Sequence, residues 1–346
     1  MKAYIWSAFL TMLCAVGATA QESSEVIALV GDGILFYQEG RYDDARSLYE
    51  QALELDPKSS LALYEMALLY YDQKAYQEAI DYAEQALKYD KSSQKQAILL
   101  KGSALDNLGL SKEAIKVYKK AVKRYSNDYL VHYNMGLTYW RAGAVERAED
   151  HLHEAVFLKP EHLNSHYLIW FIQQAEGKVV EGLLSGLYYL SLDAESQRAE
   201  EILEGFMDTY SKPIDRGNGN VIGTNAKEWE EDIWAEVRLL LPLLSVQKAE
   251  QEKTSGTVMS PAESYLFYTK GFLEGLPRAS QWDGTIWSEV YLPYFQRLQY
   301  HDLIEPFVYH AAMAKPTWSQ NWLEAHPKEM EGFYARMVES ETEPRN

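Results

Sequence analysis

From about residue 24 onward, apolar and small side chains recur every three or four positions, and no run alternates with a period of two. The pattern predicts helices throughout and no sheet. In one stretch His132, Met135, Gly136 and Tyr139 share a helical face, Gly143 interrupts the run, and Ala148, Leu152 and Ala155 resume it before Pro160. The arrangement recurs along the chain. Gly33, Ala67, Gly102, Gly136 and Trp170 lie 34, 35, 34 and 34 residues apart, and Ala45, Ala79, Ala114, Ala148 and Gly182 keep the same spacing. Each period holds two helices. Small residues at both marker positions let two backbones approach closely, and Gly40, Gly109, Gly143 and Gly177 supply positive φ in the turn between them.

Leu29, Gly33, Phe36, Ala45, Tyr49, Ala52 and Pro57 in the first period correspond to Leu63, Met66, Ala67, Tyr70, Ala79, Ala83 and Ala86 in the second. The third period carries Ile98, Gly102, Leu105, Ala114, Tyr118 and Ala121. This succession resembles the tetratricopeptide-repeat (TPR) family. On that register the array covers residues 24–194, with units of about 26–59, 60–94, 95–128 and 129–162 and a degenerate fifth, 163–194. In the fifth, Trp170 and Gly182 stand at the marker positions and no proline follows, which leaves its packing open.

The resemblance implies an all-α, right-handed superhelix whose concave face is lined by the first helix of each pair and takes up an extended peptide or a helix. In register, Tyr64, Leu68, Tyr71, Tyr133, Leu137, Trp140, Tyr167 and Phe171 would line that face, interrupted in the third unit by Gln96, Ser103 and Asp106. Family members that grip a terminal carboxylate use Lys and Asn there, a clamp this sequence lacks. An apolar or aromatic ligand is expected, in keeping with the enrichment of Tyr and Trp at interfaces. The alternative is that the C-terminal helices fill the face, because large apolar patches are seldom left uncovered.

Beyond Ala194 the spacing is lost. Helices are expected over about 196–210, 226–246, 262–276, 285–300, 303–314 and 327–339, with a short one near 318–325, loops near 211–225 and 250–260, and a kink at Pro242. Residues 195–346 would then be degenerate helix pairs that continue or cap the array.

A formal charge of −18 excludes a phosphate-binding surface of the usual kind, since that needs concentrated Lys and Arg. The basic run from Lys116 to Arg124 reads as a solvated helix face. The chain has 26 tyrosines and 9 tryptophans, and that many aromatic rings must be packed or bound. At the N-terminus, Lys2, an apolar stretch from Tyr4 to Val16 and Ala18-Thr19-Ala20 have the layout of a secretory signal peptide, residues 1–20, cleaved after Ala20. The apolar run is shorter than the roughly 20 residues that span a bilayer, so no membrane span is expected in the mature chain. The single cysteine, Cys14, would leave with the leader, and Leu13 before it departs from a lipoprotein box. These features predict export to a periplasm or the exterior, in a Gram-negative bacterium.

Candidate chemistry is sparse. His162 and His166, four apart on a helix, could face one metal, with Glu161 beside them, but the His-Glu-x-x-His arrangement is absent. His151 and His153 point in different directions. Asp215 to Asn220 lacks the further carboxylates of a calcium loop. Tyr300, His301 and Asp302, with Glu305 and His310, make up the polar cluster of the C-terminal half that could do acid/base work. Trp282, Trp287, Trp318 and Trp322 read as core anchors or, if exposed, as sugar-stacking rings. No catalytic residue, metal or cofactor is assigned. The sequence predicts an exported scaffold that binds a protein or peptide and no nucleic acid. The competing classes are a hydrolase or carbohydrate-active enzyme with its site in the C-terminal region, and a structural envelope protein that self-associates into a homo-oligomer.

Overall fold

The computed structural model describes residues 23–89, 94–211, 234–276 and 285–339. Among these residues every regular element is a helix. The expected leader with Cys14, the segment from Asp215 to Asn225, Trp229 and Trp282 lie outside them. The helices fall into two compact units, one ending at Ala144 and the other beginning at Val145.

The first unit contains α1 (Ser24–Gln38), α2 (Tyr42–Leu55), α3 (Ser60–Asp72), α4 (Tyr76–Tyr89), α5 (Gln94–Asn107), α6 (Ser111–Arg124) and α7 (Tyr129–Arg141). Capping side chains start three of the first helices. Ser23 accepts from Val26 N at 3.3 Å, Ser59 from Ala62 N at 3.2 Å, and Asp128 from Leu130 N at 3.0 Å. Gly40, Gly109 and Gly143 turn the chain at φ of 79°, 77° and 75°, and in the second repeat Lys74 takes the equivalent place at 61°. The small markers work as expected. A Cβ on Gly33 would lie 2.4 Å from the Tyr49 ring, and one on Gly102 2.4 Å from Tyr118, so glycine on the first helix makes room for tyrosine on the second.

The second unit contains α8 (Val145–Leu158), α9 (Leu163–Glu176), α10 (Val179–Leu192), α11 (Gln197–Ser211), α12 (Ala235–Ser255), α13 (Pro261–Glu274), a π-helical turn (Trp287–Tyr291), α14 (Leu292–Tyr300), α15 (Ile304–Ala311), α16 (Pro316–Ala325) and α17 (Pro327–Glu339). Here the large and small partners are exchanged. Trp170 stands where the other first helices carry Gly or Ala, and a Cβ on Gly186 of α10 would lie 2.9 Å from the Trp170 ring. A Cβ on Gly205 of α11 would lie 2.8 Å from the far edge of the same ring. The fifth repeat keeps its volume by reversing its order.

Helix α10 is buried without interruption from Val180 to Leu190, because α15 and the π-helical turn also pack on it. Helix α11 extends the register past residue 194. Arg198 Nη1 donates to Asn164 Oδ1 at 2.6 Å and Tyr167 Oη to Glu201 Oε2 at 2.7 Å, each across 34 residues. Side-chain contacts thus continue a spacing that the marker residues no longer show.

Two expectations for the C-terminal helices are corrected. The described part of the second helix continues through Pro242 to Ser255, so residues 250–255 are helical and not loop. The i,i+4 pair Lys248–Glu252 at 2.6 Å extends it, Gly256 at φ 71° ends it, and Glu252 Oε1 accepts from Met259 N at 2.8 Å beyond the end. Between Ile286 and Leu292 the expected α-helix is π-helical, which buries Trp287, Val290 and Tyr291 together. Helix α13 opens with a capping box, Ser260 Oγ accepting from Glu263 N and Ser260 N donating to Glu263 Oε2. Its Gly271 and Gly275 admit Leu244 and Leu240 of α12.

Candidate partner-binding surface

In the first unit the first helices of successive pairs, α1, α3, α5 and α7, touch one another. Tyr64, Leu68 and Tyr71 lie on α3 and Tyr133, Leu137 and Trp140 on α7, all of them half-buried. The α3 set rests on Ala67, Ala83 and Leu100, and the exposed edges of these side chains form the candidate surface. Burial raises the phenols of Tyr64 and Tyr71, so both stay neutral hydroxyls.

A line of polar bonds between repeats runs beside these rings. Tyr37 Oη donates to Asp72, Asn107 Nδ2 to Tyr71 Oη at 2.8 Å, and Arg141 Nη1 to Asp106 Oδ2 at 2.8 Å. Each joins residues 35 or 36 apart, one repeat to the next. Asp106, expected to interrupt the face, is instead 6% exposed and held by Arg141 and by Ser111 Oγ at 2.9 Å. The third repeat presents Ser103 and exposed Asn107, and the Arg141 cation is already paired. Sequence reasoning missed Asp72, Asn107 and Arg141, although their spacing of about one repeat, read alongside the aromatic positions, could have found them.

In the second unit Tyr167 is engaged by α11. Arg198 lies 4.5 Å over its ring, and burial together with the Glu201 bond pushes the phenol up to about 12. Phe171 is 38% exposed beside Trp170.

His166 serves the core. His166 Nε2 lies 2.5 Å from Pro160 O, which can only accept, so Nε2 carries the proton and Nδ1 accepts from Tyr291 Oη at 2.7 Å. Both ring nitrogens are used and none remains for a metal. The ring stacks on Tyr188 with centroids 4.5 Å apart, and burial lowers its pKa to about 4. His162 Nδ1 bonds Ser165 Oγ at 2.8 Å, so the two imidazoles do not converge. The cluster around residue 300 separates into unrelated pairs, with His301 Nδ1 accepting from Arg336, Glu305 joined to Lys270, and His310 bonded to Tyr334. Trp287 stacks on Tyr291, and Trp322 lies between Tyr309 and His326. Among the described residues no three His, Cys, Asp or Glu side chains are grouped to hold a metal, and no helix is long and apolar enough to cross a membrane. An open cavity of about 480 Å³ in the first unit is lined by Lys95, Tyr125 and Asp128 among others, and its Lys95–Asp128 pair is closed at 2.5 Å.

A family model for the tetratricopeptide repeat matches residues 32–95 and 99–162. Among solved structures the chain is similar to PilW, a widely conserved type IV pilus biogenesis factor, at 20% identity over 62% of this chain and 94% of that one, with a TM-score of 0.48. It is also similar to TTC0263, a thermophilic TPR protein of Thermus thermophilus (20% identity, 53% and 99% covered, TM-score 0.46), and to MamA of Desulfovibrio magneticus RS-1 (17%, 54% and 98%, 0.42). No curated protein matches the sequence.

Proposed function

With its repeat region belonging to the tetratricopeptide-repeat family, we propose that this chain is an interaction scaffold that holds a peptide or protein segment on its first-helix surface. The contact residues are Tyr64, Leu68, Tyr71, Tyr133, Leu137 and Trp140 in the first unit, and Tyr167 and Phe171 in the second. One observation carries the reading: the aromatic side chains of α3 and α7 are half-buried, and polar bonds from repeat to repeat run beside them. A surface held in place before binding loses little entropy when a ligand docks. The ligand segment is apolar or aromatic, since the face offers hydroxyls, an amide and rings but no unpaired clamp of cations.

The reading is of binding and not of catalysis. It is supported by the separate pairing of the candidate groups, His166 with Tyr291, His310 with Tyr334 and Glu305 with Lys270. Residues 24–194 serve as the array and 195–346 as helices that extend it. The chain is exported after cleavage at Ala20, and a periplasmic or secreted location follows; mass spectrometry of the mature protein should find Gln21 at its start.

Replacing Tyr133 and Trp140 together by Ala tests the surface. Capture of envelope proteins on the immobilised chain should fall at least tenfold while the melting temperature changes by no more than a few degrees. Unchanged capture with a large loss of melting temperature would make both side chains core and sink the reading.

A further inference from the structure

The second helices of the first unit carry charge of opposite sign at matching places in the repeat. On α6, Lys112, Lys116, Lys119, Lys120 and Lys123 are all exposed. At 3.6 residues per turn they share an arc of about 100°, opposite the buried Ala114, Tyr118 and Ala121. None has an acidic partner within salt-bridge distance among the described residues, whereas Lys95, Lys101, Lys178, Lys248, Lys270 and Lys315 are paired. Like charges at i,i+4, as in Lys112/Lys116, Lys116/Lys120 and Lys119/Lys123, weaken an isolated helix. In a chain of net charge −18 this is an unneutralised basic stripe.

Two repeats earlier, α2 presents the complement. Asp43, Glu50 and Glu54 stand in the register places of Lys112, Lys119 and Lys123, and all three are exposed, Asp43 with 94% of its side chain open despite a 3.5 Å approach of Arg46. Their spacing is that of the lysines read backwards. Laying α2 antiparallel against α6 of another molecule sets Asp43 opposite Lys123, Glu50 opposite Lys116 and Glu54 opposite Lys112. All three pairs come into register at once along about 17 Å of helix.

The geometry points to a second copy of this chain as the occupant of the α6 stripe, docked through its α2 stripe. A planar anionic bilayer fits less well, because it would also bring its charge against the rest of an acidic molecule. The contact joins different faces of the two molecules, so it is head-to-tail and leaves an α2 and an α6 free at the ends to recruit further copies. Exposed ion pairs are weak singly, so the association is weak and sensitive to salt. It uses the second helices and leaves the first-helix surface open.

Charge reversal on the full chain tests this by sedimentation velocity at about 0.1 M salt, where whole-molecule repulsion is screened beyond roughly 10 Å but contacts within 4 Å persist. The wild type should show concentration-dependent association that disappears at about 1 M salt. Two variants are needed: Asp43→Lys/Glu50→Lys/Glu54→Lys and Lys112→Glu/Lys116→Glu/Lys123→Glu. Each alone should be monomeric with unchanged helical circular dichroism, an equimolar mixture of the two should associate, and the six-fold swap should recover wild-type behaviour. A monomeric wild type, association that survives either reversal, or a mixture that stays monomeric would overturn the proposal. So would α6-dependent binding to phosphatidylserine vesicles in place of self-association.

Discussion

Helices α6 and α10 hold the same place, second in their repeats, and have opposite surroundings. Helix α6 buries a narrow stripe of Ala114, Tyr118 and Ala121 and turns five lysines to solvent, while α10 is buried from Val180 to Leu190. The contrast shows that the 34-residue register fixes how two helices pair, but not what covers their outer sides. In the second unit further helices cover α10, and the packing order inverts to suit, with Trp170 of α9 received by Gly186 and Gly205. Both units bury titratable groups: in the first, Glu65 has Oε1 lacking a hydrogen-bond partner and a pKa raised to about 8 by burial, and in the second buried His166 and half-buried His153 and His162 are each lowered to about 4 by burial.

The sharpest way to break the comparison is at Trp170. Trp170→Ala should destabilise the second unit by about 3–5 kcal/mol, read by urea unfolding followed by circular dichroism. Restoring the usual order with Trp170→Gly/Gly186→Tyr should recover a clear part of the loss seen in Trp170→Gly alone; no recovery would mean the two positions are not exchanged partners.

The next effect separates Glu65 from His166 by pH. Glu65 has a folded pKa above its unfolded one, so its neutral form supports folding at low pH and that support is lost as pH rises from about 4.5 through 8. Glu65→Gln should therefore stabilise by about 2–4 kcal/mol at the alkaline end of that window, with the gain vanishing below its acid end. For His166 the sign is reversed. Its folded pKa is depressed, so stability is fully present above about 6.5 and falls as pH drops toward 4, by about 2–3 kcal/mol. His166→Phe should flatten that acid limb of the melting profile, even if it lowers stability at neutral pH. Equal responses of both limbs to either substitution would contradict the assignment of the two limbs to Glu65 and His166.

The smallest predicted change lies in a turn. Lys74 holds at φ 61° the left-handed place that glycine fills in the neighbouring repeats. Lys74→Gly should raise stability by about 0.5–1 kcal/mol, seen as a small rise in melting temperature; a loss would mean that Lys74 gains more from its contacts than its backbone strain costs.

Much of the first unit was legible because its signals are local. Gly33 and Gly102 announce close helix contacts, and Gly40, Gly109 and Gly143 announce the turns. The candidate surface could be proposed from the sequence as a set of aromatic positions, with Asp106 a break among them. That Asp106 is buried and paired with Arg141, one repeat later, is decided by packing. Among the described residues the C-terminal helices follow the expected order but not the expected joints, since the extension of α12 to Ser255 depends on a side-chain pair and a left-handed glycine acting together.

The sequence by itself determined the helices, their pairing in successive units and the turns between them, because a 3.6-residue period, a glycine at positive φ and a capping side chain each act within a few residues. Only the tertiary structure decided which faces are covered and which groups are held neutral. Burial is set by elements far apart in the chain: Tyr291, which donates to His166, lies 125 residues from it.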